Sequence, residues 1–483
     1  MFTIYSVQDV LHRTHSRAIE AVHRSLHCWR TRTGLGMKSK ALGMIDGAYN
    51  AYRRAVTPAE QRWYRKGYGD IITQQAQSDT IVAAFGKDGM EEWLSKTPFS
   101  LTSAPWAPTG EIPPQDVLRD ELSFASPMAD QLPRASAVVR ALFVRAAPGS
   151  NLYPPTRCIM LHMAPTGVTA YSDREKLAYP LLEYGIASII IIPPFSGSRA
   201  PPAQPAHYIE TVADYMRQSQ ALIAESVQLL RGLARSTAAL PPFSGDERKL
   251  DDGRPASGAA LVSFGVIGLS WGGSMSACVA LASELPVACV VGLGSDSPKV
   301  MATGAIRCAR ASVLPRARGK PLSRRFSCGL RSTSPPARHH SHSRPLPRAR
   351  SWQLDWKALM DEGGNTREET EDQIVQVFTR VKFATLLERR PAPTIGVCVQ
   401  VQAVDDKYVA ASEGAQLHES LRKAVPHGRL CEMRWIPGGH GSAFVQVKQR
   451  HLFVHTRVHP HSPLTTHPLS ASVVGSRHRS YRR

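Results

Sequence analysis

The sequence predicts an α/β protein with a mostly parallel central sheet and helices on both faces. Three observations predict it. Short continuous apolar runs recur along the chain, as in Cys158–Met163 and Ile186–Ile192, the second ending in four isoleucines before Pro193-Pro194. Runs of this kind suit parallel strands covered on both faces. Stretches with helical spacing separate them, and strands alternating with helices build a parallel sheet. Finally, Val262–Ile267 runs into Gly268-Leu269-Ser270-Trp271-Gly272-Gly273 and then into a small-residue helix pattern through Ala282. That is a strand, a sharp turn and a helix.

In chain order, residues 1–36 are rich in Arg and His, with Asp9 and Glu20 as their only acids. They read as a transit-like segment or as an extension before a true start at Met37. The expected compartment is accordingly cytoplasmic or mitochondrial. Residues 37–123 form a helical N-terminal region and a linker. Helical character runs over 41–100, carrying Tyr49, Tyr52, Trp63 and Tyr64, whereas 101–135 are Pro-rich and expected to be irregular. The main domain spans 124–450. Its expected elements begin with a strand at Ala137–Val144, strand Cys158–Met163, helix Tyr171–Tyr184 and strand Ile186–Ile192. Helix His207–Ala234 follows, with Val212, Met216, Ile223, Val227, Leu230 and Leu233 at helical spacing, and then a polar loop over 235–259. The Ser270 strand and helix come next, then strand Val287–Leu293, helical and amphipathic character over 352–390, strand Thr394–Val401, helix Ser412–Val425 and strand Cys431–Ile436.

Charge and composition bound the function. The net charge is +20, but residues 301–350 hold twelve Arg or Lys and 451–483 hold five Arg, with no acid in either. The basicity therefore belongs to two segments and not to a folded face. The insert at 302–350 and the tail at 451–483 are expected to be disordered, since neither has the apolar content to offset the entropy of ordering. Their abrupt composition suggests non-coding sequence read through in a gene model. Neither interleaves aromatics for base stacking or forms a recognisable module, so no specific nucleic-acid partner is expected. His339-His340-x-His342 has nothing around it to fix a geometry, and no metal or other cofactor is expected. The cysteines show no C-x-x-C; Cys158, Cys278, Cys289, Cys398 and Cys431 lie inside apolar runs and read as small buried hydrophobes. No apolar run approaches the ~20 residues that span a bilayer, which leaves room for peripheral membrane contact. The sequence sets no oligomeric state.

Gly268-Leu269-Ser270-Trp271-Gly272 between a strand and a helix is the nucleophile-elbow pattern of the α/β-hydrolase fold. Glycine on either side lets the backbone turn tightly and lift the hydroxyl above the sheet. Such a serine needs a base and an acid, in the chain order Ser, Asp/Glu, His. His440 suits the base: it lies in Pro437-Gly438-Gly439-His440-Gly441-Ser442, a glycine loop just after the last strand. The acid should follow the preceding strand, where Asp405 and Asp406 stand. Asp406 is preferred, because Asp-x-x-Val, here ending at Val409, is the usual spacing after this strand in hydrolases. An oxyanion hole needs two N–H donors. One is the amide of Trp271. The other should come from the loop after Met163, where Pro165 cannot donate and Ala164 or Thr166 is left. Arg199, in the rigid Pro194–Pro201 loop past the Ile186–Ile192 strand, is a candidate for binding an anionic group of the substrate, against a structural role tied to carbonyls or a nearby acid.

From about Phe124 to Val447, outside the insert, the chain resembles the α/β-hydrolase domain-containing protein 18 family. The resemblance rests on Phe124–Met128, Leu161–Gly167, Pro194–Pro201, the Ser270 elbow, Val401-Gln402-Ala403 with Asp406, and Gly438-Gly439-His440. Met37-Lys38-Ser39-Lys40 and Tyr52-Arg53-Arg54 resemble the family's start, in favour of Met37 as the first residue. The resemblance implies a serine hydrolase acting on an acyl ester, a small molecule or a lipid. The departures are Pro165 in place of the family's glycine, the Arg-rich segment in place of the cap after the sixth strand, and no final helix beyond about Val447. They imply a chain of impaired activity or stability. The alternative class is a hydrolase-fold binding or scaffold protein without turnover.

Overall fold

The computed structural model describes residues 63–76, 94–95, 99–106, 113–204, 208–235, 262–296, 354–379, 383–389, 395–406 and 408–443. The expectations for 1–36, for most of 37–100, for the 235–259 loop, for the 302–350 insert and for the 451–483 tail lie outside the described residues.

The described strands are β1 (Thr102–Pro105), β2 (Val117–Ala125), β3 (Val138–Ala146), β4 (Cys158–Met163), β5 (Ile186–Ile191), β6 (Ser263–Leu269), β7 (Val287–Gly292), β8 (Ile395–Ala403) and β9 (Cys431–Ile436). They form one sheet in the order β1-β2-β3-β5-β4-β6-β7-β8-β9. From β5 to β9 every pairing is parallel, and β1, β2 and β3 extend it by antiparallel pairing. This is the expected α/β-hydrolase architecture.

The apolar runs explain the centre of the sheet. In β4, β5 and β6 nearly every residue is buried, as both faces are covered. The helices are α1 (Ser172–Leu182), α2 (Val212–Arg235), α3 (Trp271–Ala282), α4 (Trp356–Gly363), α5 (Arg367–Thr379), α6 (Phe383–Arg389) and α7 (Ala411–Ala424). One face carries the main core, where α2, α3 and α7 contribute Leu222, Ala277 and Leu417 against Leu161, Ile189 and Val266. On the opposite face, Ala178 and Leu182 of α1 pack on Leu142, Val144 and Ile190. A third, smaller cluster joins Val399, Val401 and Ala403 of β8 to Ile436 and Ala443, under the loop that carries His440.

One expectation is corrected. Residues 101–135 are not irregular throughout, for they hold β1 and β2. In β2, Val117 and Arg119 face α1, where Arg119 pairs with Glu175 at 2.8 Å, while Leu122 and Phe124 face the other side into the main core. A strand buried on both faces, with a charged residue at one core position, shows no simple alternation. Pro105 ends β1, and Pro113 and Pro114 precede β2, so none of them interrupts a strand interior. The helical character expected over 352–390 takes the form of α4, α5 and α6. Asp355 caps α4 by accepting from the Ala358 amide, and Gly364 ends it with φ 62°.

The five described cysteines are free thiols. Cys289, Cys398 and Cys431 stand in register across β7, β8 and β9. Among the described residues no helix is long and apolar enough to cross a membrane, and no group of three or more His, Cys, Asp or Glu could hold a metal ion.

One buried titratable group bears on stability. His162 of β4 is 2% exposed, with Nε2 3.0 Å from Ser188 Oγ on β5. Burial, with the Arg174 guanidinium beside it, pushes its pKa down to about 3. The unfolded chain binds this proton near pH 6.5. The stability that neutral His162 contributes is therefore whole above pH 6.5 and is lost progressively as pH falls toward 3. His162→Gln, which keeps a polar partner for Ser188, should flatten the pH dependence of the urea midpoint between pH 7 and 5. The change approaches one proton, about 1.4 kcal/mol per pH unit. An unchanged slope would mean that His162 titrates in the native state as it does in the unfolded chain.

Candidate active site

Ser270 stands where β6 hands over to α3, with φ 57° and ψ −127°. A β-strand leading straight into a helix forces this positive φ on a residue that has a Cβ, and such a conformation costs about 1–3 kcal/mol. The turn is held by hydrogen bonds from the Ser270 amide to Gly292 O at 2.8 Å and from the Gly273 amide to Ser270 O at 2.8 Å. It also needs empty space on both sides. A Cβ on Gly268 would lie 2.1 Å from Gly272 O, and one on Gly272 would lie 2.7 Å from the carbonyl oxygens of Met163 and Ala164. The glycines two residues before and after Ser270 are thus required by contact and not by φ.

His440 and Asp406 converge on this serine from the far ends of β9 and β8. His440 Nε2 lies 2.8 Å from Ser270 Oγ, and His440 Nδ1 lies 2.7 Å from Asp406 Oδ2. The Asp406 carboxylate is fully buried. Its other oxygen, Oδ1, accepts the amides of Tyr408 at 2.8 Å and Val409 at 2.9 Å. The Asp-x-x-Val spacing therefore has a local cause: the aspartate closes the turn that it sits on and so presents Oδ2 in one direction. Asp405 is exposed, and its amide donates to Gly438 O at 2.9 Å, which ties the acid loop to the histidine loop. Gly438 has φ 93°, a conformation that favours glycine. Ser442 Oγ accepts from the Gly439 amide at 2.9 Å and so braces the turn before His440. The Tyr408 ring lies 5.0 Å from the imidazole. Sequence reasoning passed over Tyr408 and Ser442, although both lie within two residues of its chosen aspartate and histidine.

With Nδ1–H directed at a carboxylate, Nε2 of a neutral imidazole is an acceptor for the serine proton. The Trp271 amide is the first of α3 and has no acceptor within the helix. Across from it runs the loop after β4. Ala164 is fully buried with its carbonyl toward Gly272, and Thr166 is exposed. Pro165, Thr166, Gly167 and Trp271 line a narrow cleft. Its remaining walls include Trp63, Pro193, Ser196, Tyr215 and Gln218.

Two buried arginines set the loops around this cleft. Arg174 of α1 donates to the carbonyls of His162 at 3.1 Å and Ile191 at 2.5 Å, gathering the ends of β4 and β5. Arg199, a candidate for binding substrate, is instead structural. It is completely buried, and Nη1 and Nη2 grip Glu225 of α2 at 2.8 and 2.6 Å. The same two nitrogens donate to Ile192 O at 2.7 Å and Ser136 O at 2.6 Å. The fork is consumed by the protein, so no substrate anion reaches it. The signal missed was Glu225, an acid on the otherwise apolar face of α2.

The family described as alpha/beta hydrolase domain containing 18 matches residues 61–238 and 258–456. The chain belongs to that family. Among solved structures, the chain is similar to acetyl xylan esterase 1 from Thermoanaerobacterium sp. JW/SL YS485, at 12% identity and a TM-score of 0.38, covering 79% of this chain and 92% of that one. It is similar to acetyl xylan esterase from Paenibacillus sp. R4, at 12% identity and a TM-score of 0.40 over the same shares. A proline iminopeptidase of Mycobacterium smegmatis matches at 13% identity with a TM-score of 0.36, covering 67% of this chain and 95% of that one.

Removing one partner of a fully buried ion pair leaves an uncompensated charge and typically costs about 3–5 kcal/mol. Arg199→Ala should therefore lower the unfolding free energy obtained from urea titration by that amount and leave two carbonyls unsatisfied. A variant of wild-type stability would return Arg199 to the candidates for substrate contact.

Proposed function

We propose that the protein is a serine hydrolase that cleaves an acyl ester through Ser270, His440 and Asp406. The observation that carries this reading is the unbroken relay from Ser270 Oγ to His440 Nε2 and from Nδ1 to Asp406, with both distances below 3 Å. His440 takes the serine proton as Oγ attacks the ester carbonyl. Buried Asp406 holds the ring in the productive tautomer and stabilises the imidazolium that forms. The oxyanion draws on the Trp271 amide, at the positive end of α3, and on a second amide from Ala164 or Thr166. His440 then returns the proton to the departing alcohol, and the acyl group stays on Ser270 until water, activated by the same histidine, releases it. No cofactor enters this sequence. A lipid ester remains in scope as the class that the family resemblance suggests.

The alternative is a binding protein of this fold that does not turn over. A relay at these distances on a strained elbow favours catalysis, because a binding site has no need of a serine hydrogen-bonded to an imidazole.

A fluorophosphonate probe should label Ser270 of the full chain and no other serine. Ser270→Ala should abolish esterase activity on short acyl esters, a loss of several orders of magnitude, with an unchanged melting temperature. Asp406→Asn should cost about 10³–10⁴ in kcat, since the amide misplaces the tautomer, whereas Asp405→Asn should stay within a few-fold of wild type. Hydrolysis that survives in Ser270→Ala would refute the assignment. Comparable losses at both aspartates would place the acid elsewhere.

A further inference from the structure

A neighbour of His440 takes no part in the relay. Tyr408 follows Asp406 by two residues, and its ring centroid lies 5.0 Å from that of the imidazole, with the two planes inclined by 40°. Rings this close cannot lie side by side in one plane, and at this inclination neither stands edge-on to the other. The pair is therefore partly stacked, and a phenol ring carries negative charge density on its faces. One carboxylate fixes both partners: Asp406 Oδ1 accepts the Tyr408 amide at 2.8 Å, and Asp406 Oδ2 lies 2.7 Å from His440 Nδ1. Tyr408 is half-buried, the His440 side chain is 12% exposed, and that of Asp406 is fully buried. Little water reaches the imidazole, so electrostatic contacts to it count for more than they would in bulk solvent.

The charge on His440 changes during the reaction. Transfer of the Ser270 proton turns the neutral imidazole into an imidazolium. Both hydrogen bonds of the relay meet the imidazole at its ring nitrogens, in the plane of the ring, so a face is what remains for a further contact. A cation within about 6 Å of an aromatic centroid is attracted by the ring, more strongly when the pair is desolvated. The resting, neutral imidazole gains little from the same contact. An interaction that is stronger in the transition state than in the ground state raises kcat and leaves substrate binding alone.

Resting on the reading of Ser270 as a nucleophile with His440 as its base, we infer that Tyr408 is a further positioning residue of the reaction, whose ring stabilises the His440 imidazolium that forms as Ser270, and later water, gives up its proton. Asp406 meets the new charge at Nδ1 and Tyr408 meets it at the ring. The contact needs the aromatic face and not the hydroxyl, and a side chain that merely filled the space would not supply it. Because His440 acts in acylation and in deacylation alike, loss of the ring slows both steps together, which leaves KM in place while kcat falls.

The test measures kcat and KM for p-nitrophenyl acetate with the full-length protein and three variants. Tyr408→Phe keeps the ring and should retain kcat within about two-fold. Tyr408→Leu keeps apolar bulk without the ring and should lower kcat about three- to thirty-fold, with KM within about two-fold of wild type. Tyr408→pentafluorophenylalanine nearly keeps the shape of phenylalanine but reverses the charge on the ring face, and should fall as far as Tyr408→Leu. The phenylalanine and pentafluorophenylalanine variants decide the matter by themselves if Tyr408→Leu does not fold. Equal kcat in these two overturns the inference, since the ring would then act by bulk alone. So does a Tyr408→Leu variant as active as Tyr408→Phe, or a loss carried by KM. Wild-type protein that neither turns over the ester nor labels at Ser270 with a fluorophosphonate would instead overturn the nucleophile reading, and this inference with it.

Discussion

The turn at Ser270 is the constraint on which the rest depends. A seven-residue strand must become a helix within one residue, and that residue takes φ 57° while carrying a side chain. The backbone of α3 then passes so close to β6 that neither Gly268 nor Gly272 has room for a Cβ. The close approach extends to the neighbouring strands. Gly272 abuts the end of β4, and a Cβ on Gly273 would lie 2.6 Å from Gly292 O at the end of β7. Strain at one residue is thus supported by backbone on three strands. This explains why the elbow sits in the middle of the sheet, where both neighbours are parallel and buried, and not at an edge.

Placing loops at the carboxyl ends of parallel strands exposes their last carbonyls to a desolvated interior. The protein meets those carbonyls with guanidinium groups. Arg174 satisfies the His162 and Ile191 carbonyls, and Arg199 satisfies those of Ile192 and Ser136. The two differ in compensation. Arg199 is neutralised by Glu225, whereas burial pulls the pKa of Arg174 down to about 9, with the Tyr171 phenol and Asp173 acting against that shift. A cation held mainly by carbonyl oxygens beside the loop after β4 keeps that wall of the cleft in one conformation. Burial keeps His162 neutral in the strand below, and this cation adds to that effect.

Much of this was legible in the sequence because its signals are local. β4 and β9 fall at the expected residues, since each is a short apolar or alternating run with a clear stop. Ser270, Asp406 and His440 could be chosen because glycines and strand ends mark them individually, and the structure brings these three side chains within hydrogen-bond reach of one another. What escaped was pairwise and distant. Arg119 in β2 looks misplaced until Glu175, 56 residues later, is set against it. Arg199 looks available until Glu225 is found 26 residues on. The cleft could not be read at all, because Trp63, Ser196, Tyr215 and Gln218 come from separate elements and share no spacing.

The two sides of the site are supported unequally, and the reason is topological. On the cleft side, α2 and α3 pack together over the central strands within the main core, and their aromatic residues Tyr215 and Trp271 are in contact. On the histidine side, among the described residues, β9 is the edge strand, Trp435 is 45% exposed, and the small cluster beneath the loop takes in Leu293, three β8 residues, Ile436 and Ala443. A small apolar cluster does little to hold an imidazole within a few tenths of an ångström of a serine. The polar contacts must do so instead: Asp405 to Gly438, Gly439 to Ser442, and Asp406 to His440. The histidine is therefore positioned chiefly by hydrogen bonds and the serine chiefly by packing. Of the two, the histidine loop is the element whose placement is the more sensitive to what covers β9.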